Sequence, residues 1–186
     1  AFVVPFALAF ALLLVVVPLP SVPPLLPGVG SAAADGSVVR LLLARGADVH
    51  RSDAEGYTAA HAGAEVGNAE VVRAVAEAGA DVNTPDNDGA TPAYIAAANG
   101  HVELVRLLAE LGADVNTPNN NGATPACIAA ANGHVEVVRL LAELGESTET
   151  STNDGVTLLF SAARQGHTDV VRLLACELGA NVEPST

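Results

Sequence analysis

The phrase GATPAYIAAANGHVELVRLLAELG, residues 89–112, is written again from Gly122 as GATPACIAAANGHVEVVRLLAELG. Two of the twenty-four positions differ, Tyr94 against Cys127 and Leu104 against Val137. The pair belongs to a longer register. Gly56, Gly89, Gly122 and Gly155 stand 33 residues apart, as do Thr58, Thr91, Thr124 and Thr157, and Arg40, Arg73, Arg106, Arg139 and Arg172 keep the same step. A fixed period of about 20–50 residues means stacked units, each touching only its neighbours. No other feature restricts the fold as much.

One unit can be read from its chemistry. Thr91 is an N-cap whose hydroxyl accepts an orphan N–H of the first helical turn. Pro92 follows at the first helical position, where a missing N–H costs nothing. A short Ala-rich helix then runs to about Ala98, and Asn99-Gly100 can turn left-handed to end it. A second helix, from about Val102 to Leu111, puts Val102, Leu104, Val105, Leu107, Leu108 and Leu111 mostly on one face. Glu103, Arg106 and Glu110 lie on the other face at ion-pair spacing. Gly112 closes this helix, and ADVNTPNNN leads as an extended finger to the next Gly-x-Thr-Pro. Helices shorter than about 12–15 residues are marginal alone, so each must bury its apolar face on a neighbour. Writing the same unit twice supplies both sides of that interface.

Gly-x-Thr-Pro, Ala-Ala-x-x-Gly-His, Val-Val-x-Leu-Leu and Gly-Ala-Asp-Val-Asn, together at a period of 33, resemble the ankyrin repeat. The resemblance covers about residues 32–182. It implies an all-α fold, an α-solenoid of helix-turn-helix units with extended finger loops. The chain divides into an apolar, Pro-rich segment, 1–31, and a repeat domain, 32–186. That domain holds a partial unit at 32–55 and full units at 56–88, 89–121, 122–154 and 155–186. The family's His in the first helix is here His61, Tyr94, Cys127 and Phe160, and its Leu is Ala60, Ala93, Ala126 and Leu159. The last three residues at the His position cannot repeat the bonds by which that His ties the finger. GESTETSTND after the third full unit replaces GADVNTPNNN, with Thr148 at the place of Val115, and is expected to be the weakest joint. LLACELGANV carries one residue more than LLAELGADV. The insertion, assigned to Cys176, is expected to displace the end of the last helix or mark a fraying terminus. Val170, Val171, Leu173 and Leu174 on that helix are expected to lack a polar outer cap.

Composition narrows the function classes. The net charge is −13, and the first 34 residues carry no charge. All eight basic residues are Arg. Such a surface repels phosphate backbones, which argues against nucleic acid and favours a basic or neutral protein partner. Cys127 and Cys176 have no metal-ligand spacing and read as reduced thiols. Phe6–Val17, between Pro5 and Pro18, is short for a spanning helix and close to a signal-peptide core. Three readings of residues 1–31 stand: a signal or membrane anchor, a fragment or mis-predicted start, or a flap packed on the adjacent unit in place of its missing first helix. The repeat domain is expected to be a cytoplasmic monomer, unless that segment is a genuine signal.

No nucleophile–base arrangement, Walker loop or dinucleotide fingerprint occurs, so neither an enzyme nor a cofactor is expected. His101, His134 and His167 recur once per unit, too far apart in a stack, about 10 Å, to share a metal. They read as turn residues between helices. The DNDG at Asp86–Gly89 lacks the ligands of a calcium loop. What remains is a binding surface. The resemblance implies a concave groove lined by fingers and first helices. By register its protein-contact candidates are Glu55, Tyr57 and Glu65 in the first full unit, with Ala54 and Val66. They are Asn87, Asp88 and Asn99 in the second, with Ala90 and Ala98, and Asn120, Asn121 and Asn132 in the third, with Ala123 and Ala131. The fourth adds Asn153, Asp154, Arg164 and Gln165, with Val156. Tyr57 and Arg164 are the best anchors, because interface energy concentrates in aromatic and Arg side chains. The leading expectation is a non-catalytic protein-interaction module. The alternative is the repeat array of a larger membrane-tethered or multi-domain protein whose activity lies elsewhere.

Overall fold

The computed structural model describes residues 36–180. The readings of residues 1–31 lie outside them. Nine α-helices are formed among the described residues: α1 Ser37–Ala44, α2 Ala59–Glu65, α3 Ala69–Glu77, α4 Pro92–Ala98, α5 Val102–Glu110, α6 Pro125–Asn132, α7 Val135–Glu143, α8 Leu158–Gln165 and α9 Thr168–Arg172. A π-helical turn, Leu173–Glu177, continues α9. None of these helices is long and apolar enough to cross a membrane.

The helix starts follow from side-chain chemistry. The hydroxyls of Thr91, Thr124 and Thr157 accept from the N–H groups of Tyr94, Cys127 and Phe160, each at 3.3 Å. These Thr satisfy one orphan donor apiece. Pro92 and Pro125 occupy the first turn, as expected. Of the pair Asn99-Gly100, only the glycine turns left-handed, at φ +76°, while Asn99 stays at φ −96°. Two bonds then close α4, Gly100 N–H to Ala97 O at 3.2 Å and His101 N–H to Ala96 O at 3.0 Å. This is the paired closure of a Schellman end, which needs the φ that glycine adopts without a Cβ penalty.

The helices pair as hairpins α2/α3, α4/α5, α6/α7 and α8/α9. Hairpins stack inner helix on inner helix (α2, α4, α6, α8) and outer on outer (α1, α3, α5, α7, α9). The inner layer is thin because it is alanine: Ala93, Ala96, Ala97, Ala126, Ala129 and Ala130 are all buried. Outer helices bring the bulk, with Leu104, Val105, Leu108, Val137, Val138 and Leu141 buried on one face. Burying a leucine in such a seam contributes about 2 kcal/mol.

Fingers join the hairpins. Each tip closes on itself: Asp53, Asp86 and Asn119 accept with Oδ1 from the N–H groups two and four residues on, at 2.7–3.1 Å. Adjacent fingers are zipped by backbone and side chain together. Asn87, Asn120 and Asn153 N–H donate to Glu55, Asp88 and Asn121 O at 2.9, 2.9 and 3.0 Å. Their amide groups donate to Ala54, Asn87 and Asn120 O at 2.9, 3.0 and 3.1 Å.

In the last hairpin the inserted residue delays the helix end by one place, with Glu177 and the left-handed Gly179 one step beyond the 33-residue register, and the described helix does not fray. The extra residue is absorbed as the π turn, with Leu178 N–H bonded to Leu173 O at 3.0 Å. One extra residue per turn is what an i→i−5 bond accommodates. The ion pair is kept: Arg139 reaches Glu177 at 2.7 Å as Arg40 reaches Glu77 at 2.6 Å. Of the four apolar residues expected to lack a polar outer cap, Val170, Leu173 and Leu174 are buried and Val171 is half-buried. Phe160 is an exposed large apolar side chain at that end, at 55%.

Candidate protein-binding surface

The His positions show how the scaffold holds itself. His61 is fully buried; its Nδ1 accepts from Thr58 N–H at 3.1 Å and its Nε2 meets Ala90 O, in the next finger, at 3.0 Å. Those partners call for the neutral ring protonated on Nε2. Burial keeps its pKa below the ordinary value, opposed by the Ala90 bond. The other three side chains at this position do not repeat the arrangement, as the sequence implied. Tyr94 reaches the next finger in another way, its hydroxyl accepting from Asn119 Nδ2 at 3.3 Å. Cys127 is a buried thiol. Phe160 has no following hairpin among the described residues to pack on.

His101, His134 and His167 lie at hairpin turns. Each Nε2 meets a carbonyl of the preceding unit: Glu65 O at 3.1 Å, Ala98 O at 3.0 Å and Ala131 O at 2.9 Å. These rings therefore stitch hairpin to hairpin. No group of three or more His, Cys, Asp or Glu among the described residues is clustered to hold a metal ion.

The candidate contact residues fall in two rows. Glu55, Asn87, Asp88, Asn120, Asn121, Asn153 and Asp154 are exposed at fingertips. Glu65, Asn99, Asn132, Arg164 and Gln165 are exposed at the C-terminal ends of the inner helices. Tyr57 is half-buried between the rows, stacked on the His61 ring at a centroid distance of 4.9 Å. Its hydroxyl meets Glu65 Oε2 at 3.4 Å. Burial, then the charges of Glu65, Asp86 and Asp53, hold the phenol well above its ordinary pKa, so it remains a hydrogen-bond donor.

Register alone did not separate the residues that build the surface from those free to use it. Asn87, Asn120 and Asn153 spend their amide donors on the neighbouring finger. Asn132 donates to Ala98 O at 2.8 Å and Asn99 to Ile95 O at 2.9 Å. Among the described residues the Arg164 guanidinium forms no ion pair, and the side chains of Glu55, Asp88, Asn121 and Asp154 form no hydrogen bond. One buried residue was missed. Glu146, in the altered joint, is 7% exposed, and neither carboxylate oxygen has a hydrogen-bond partner among the described residues. The signal was available in register, since Ala80 and Ala113 stand at the same place after their helix-ending glycines.

The family model described as ankyrin repeats (3 copies) matches residues 30–119 and 114–186. No curated protein matches the chain. Ankyrin repeats are in general non-catalytic protein–protein interaction modules. The matched span, the stacked hairpins and the zipped fingers agree, and the chain belongs to the ankyrin-repeat family.

Proposed function

We propose that this chain binds a protein partner along the surface formed by its fingertips and the ends of its inner helices, with Tyr57 and Arg164 as anchors. The observation that carries the reading is the division of labour among the polar groups. The His rings and the Asn ladder satisfy the scaffold's backbone, so a second set of side chains is left exposed at a regular spacing on one surface. Such a surface is rigid before binding, which lowers the ordering cost of association.

Charge indicates the partner's character. Glu55, Glu65, Asp88 and Asp154 are acidic, Arg164 is the basic member of the set, and the chain carries −13 overall. A basic or neutral partner is favoured, with basic side chains near the Tyr57 end. Glu65 and Tyr57 are already hydrogen-bonded, so an incoming Arg or Lys meets a carboxylate held beside an aromatic ring.

Affinity capture with the full chain, followed by titration of the purified partner, tests the proposal. Tyr57→Ala and Arg164→Ala are each expected to weaken binding by about 30-fold, the loss of a typical interface anchor. Binding should also weaken with salt. Unchanged affinity in both variants, with circular dichroism like that of the parent chain, refutes this assignment of the anchors and the surface.

A further inference from the structure

The outer helices share one way of ending. A glycine turns left-handed and the next residue packs inward: Ala47, Ala80, Ala113 and, one residue late because of the insertion, Ala180. At this place in a Schellman end an apolar contact is usual. Glu146 occupies it after α7, its N–H bonded to Leu141 O at 3.0 Å. The ordinary closure therefore pins the backbone and delivers a carboxylate into a seam built for a methyl group.

The surroundings compensate only in part. The groups facing the carboxylate are the Thr124 hydroxyl and Ala126 N–H at the start of α6, and Asp114 at the base of the preceding finger. Neither of the first two closes a hydrogen bond on it. Asp114 is of like charge, and no cation among the described residues acts on the group. A buried ion without a partner is costly, and the group escapes the cost by staying protonated. The same finger is short of apolar burial elsewhere: Thr148 is half-buried where Val49, Val82 and Val115 are buried.

We propose that the finger joining α7 to α8 is a pH-responsive hinge: it stays seated on the start of α6 while Glu146 is protonated and loosens when Glu146 ionises. The fourth hairpin, which carries Arg164, is held to the array by this finger together with the α6–α8 and α7–α9 contacts, the His167 bond to Ala131 O and the Arg139–Glu177 pair, so loosening the finger releases one of these ties. Burial raises the carboxyl from the ordinary 4.5 to about 7, the Thr124 hydroxyl and the Ala126 N–H offset part of the rise, and Asp114 adds to it. With the folded value above the unfolded one, the seam is strongest below pH 4.5 and loses stability as pH climbs to about 7.

Hydrogen exchange on the full chain, corrected for the pH dependence of intrinsic exchange, tests the hinge. In the parent chain, opening of residues 147–160 should become about 30-fold more frequent between about pH 5.5 and about pH 8, with no such change in residues 84–98. In Glu146→Gln the dependence should vanish, with slow exchange at both pH values. Glu146→Ala, which restores the residue of the other units, provides the same comparison should the amide not fold. Opening of 147–160 that is independent of pH in the parent chain overturns the proposal. So does a dependence that survives in both variants or is equal in residues 84–98.

Discussion

Gly100→Ala isolates the contact that makes Gly-His a pair. Gly100 sits at φ +76°, and a Cβ there would lie 2.6 Å from Nδ1 and 2.8 Å from Cε1 of His134, in the next unit. The ring cannot simply swing away, because its Nε2 is bonded to Ala98 O at 3.0 Å. Two costs add. An L-residue in the left-handed region loses about 1–2 kcal/mol. Forcing an extra methyl into filled space costs about 1–3 kcal/mol. The sum is about 3 kcal/mol, read as a fall in the urea midpoint of the full chain. Gly112→Ala is the internal control: its φ is +85°, yet nothing lies within 4 Å of the added Cβ, so it should lose only the backbone part, about 1–2 kcal/mol. Adding His134→Ala to Gly100→Ala should remove the clash, so that the double variant loses less than the two single losses summed. Equal destabilisation by Gly100→Ala and Gly112→Ala, or strict additivity in the double variant, refutes the steric account.

Two further expectations concern titration and access. Because His61 is buried neutral and its Nδ1 accepts from Thr58 N–H, folding should weaken as pH falls below 6.5 towards its lowered value; thermal melts should show His61→Tyr to have a flatter acid limb, and an identical limb counts against the assignment. In the native chain one thiol, the exposed Cys176, should alkylate quickly while Cys127, 3% exposed, waits for unfolding; mass spectrometry showing equal rates contradicts the packing described for α6.

The joint after α7 shows where sequence reading stops short. Comparing GESTETSTND with GADVNTPNNN drew attention to Thr148, because a lost valine is visible in a letter-by-letter alignment. The same register puts Glu146 where Ala80 and Ala113 stand, but a glutamate after a glycine carries no local sign of burial. Its burial depends on where Leu141 O, Thr124 and Asp114 stand in space. The same limit applies to the candidate surface. The twelve polar candidates other than Tyr57 are exposed, as is Ala54; Tyr57, Val66, Ala98, Ala123, Ala131 and Val156 are half-buried, and Ala90, expected on the surface, is buried at the base of its finger. Register could not tell that Asn87, Asn120 and Asn153 are ladder rungs while Asp88, Asn121 and Asp154 are not, since that depends on which atoms of adjacent fingers approach within 3.1 Å.

The period of 33, the Thr caps, the Gly turns and the one-faced outer helices were enough to specify stacked helical hairpins, because each of those signals acts within a few residues or repeats without change along the chain. The fate of departures from the repeat was decided only by packing. The doubled phrase differs at Tyr94 and Cys127: one side chain finds Asn119 in the next finger and the other fills a buried site. The inserted residue becomes a π turn because Leu173 and Leu174 must stay in the seam, and burying them outweighs a regular helix end. Local rules write the unit. Whether an exception is absorbed, buried or left exposed depends on the neighbour it meets, and only the stacked structure supplies that neighbour.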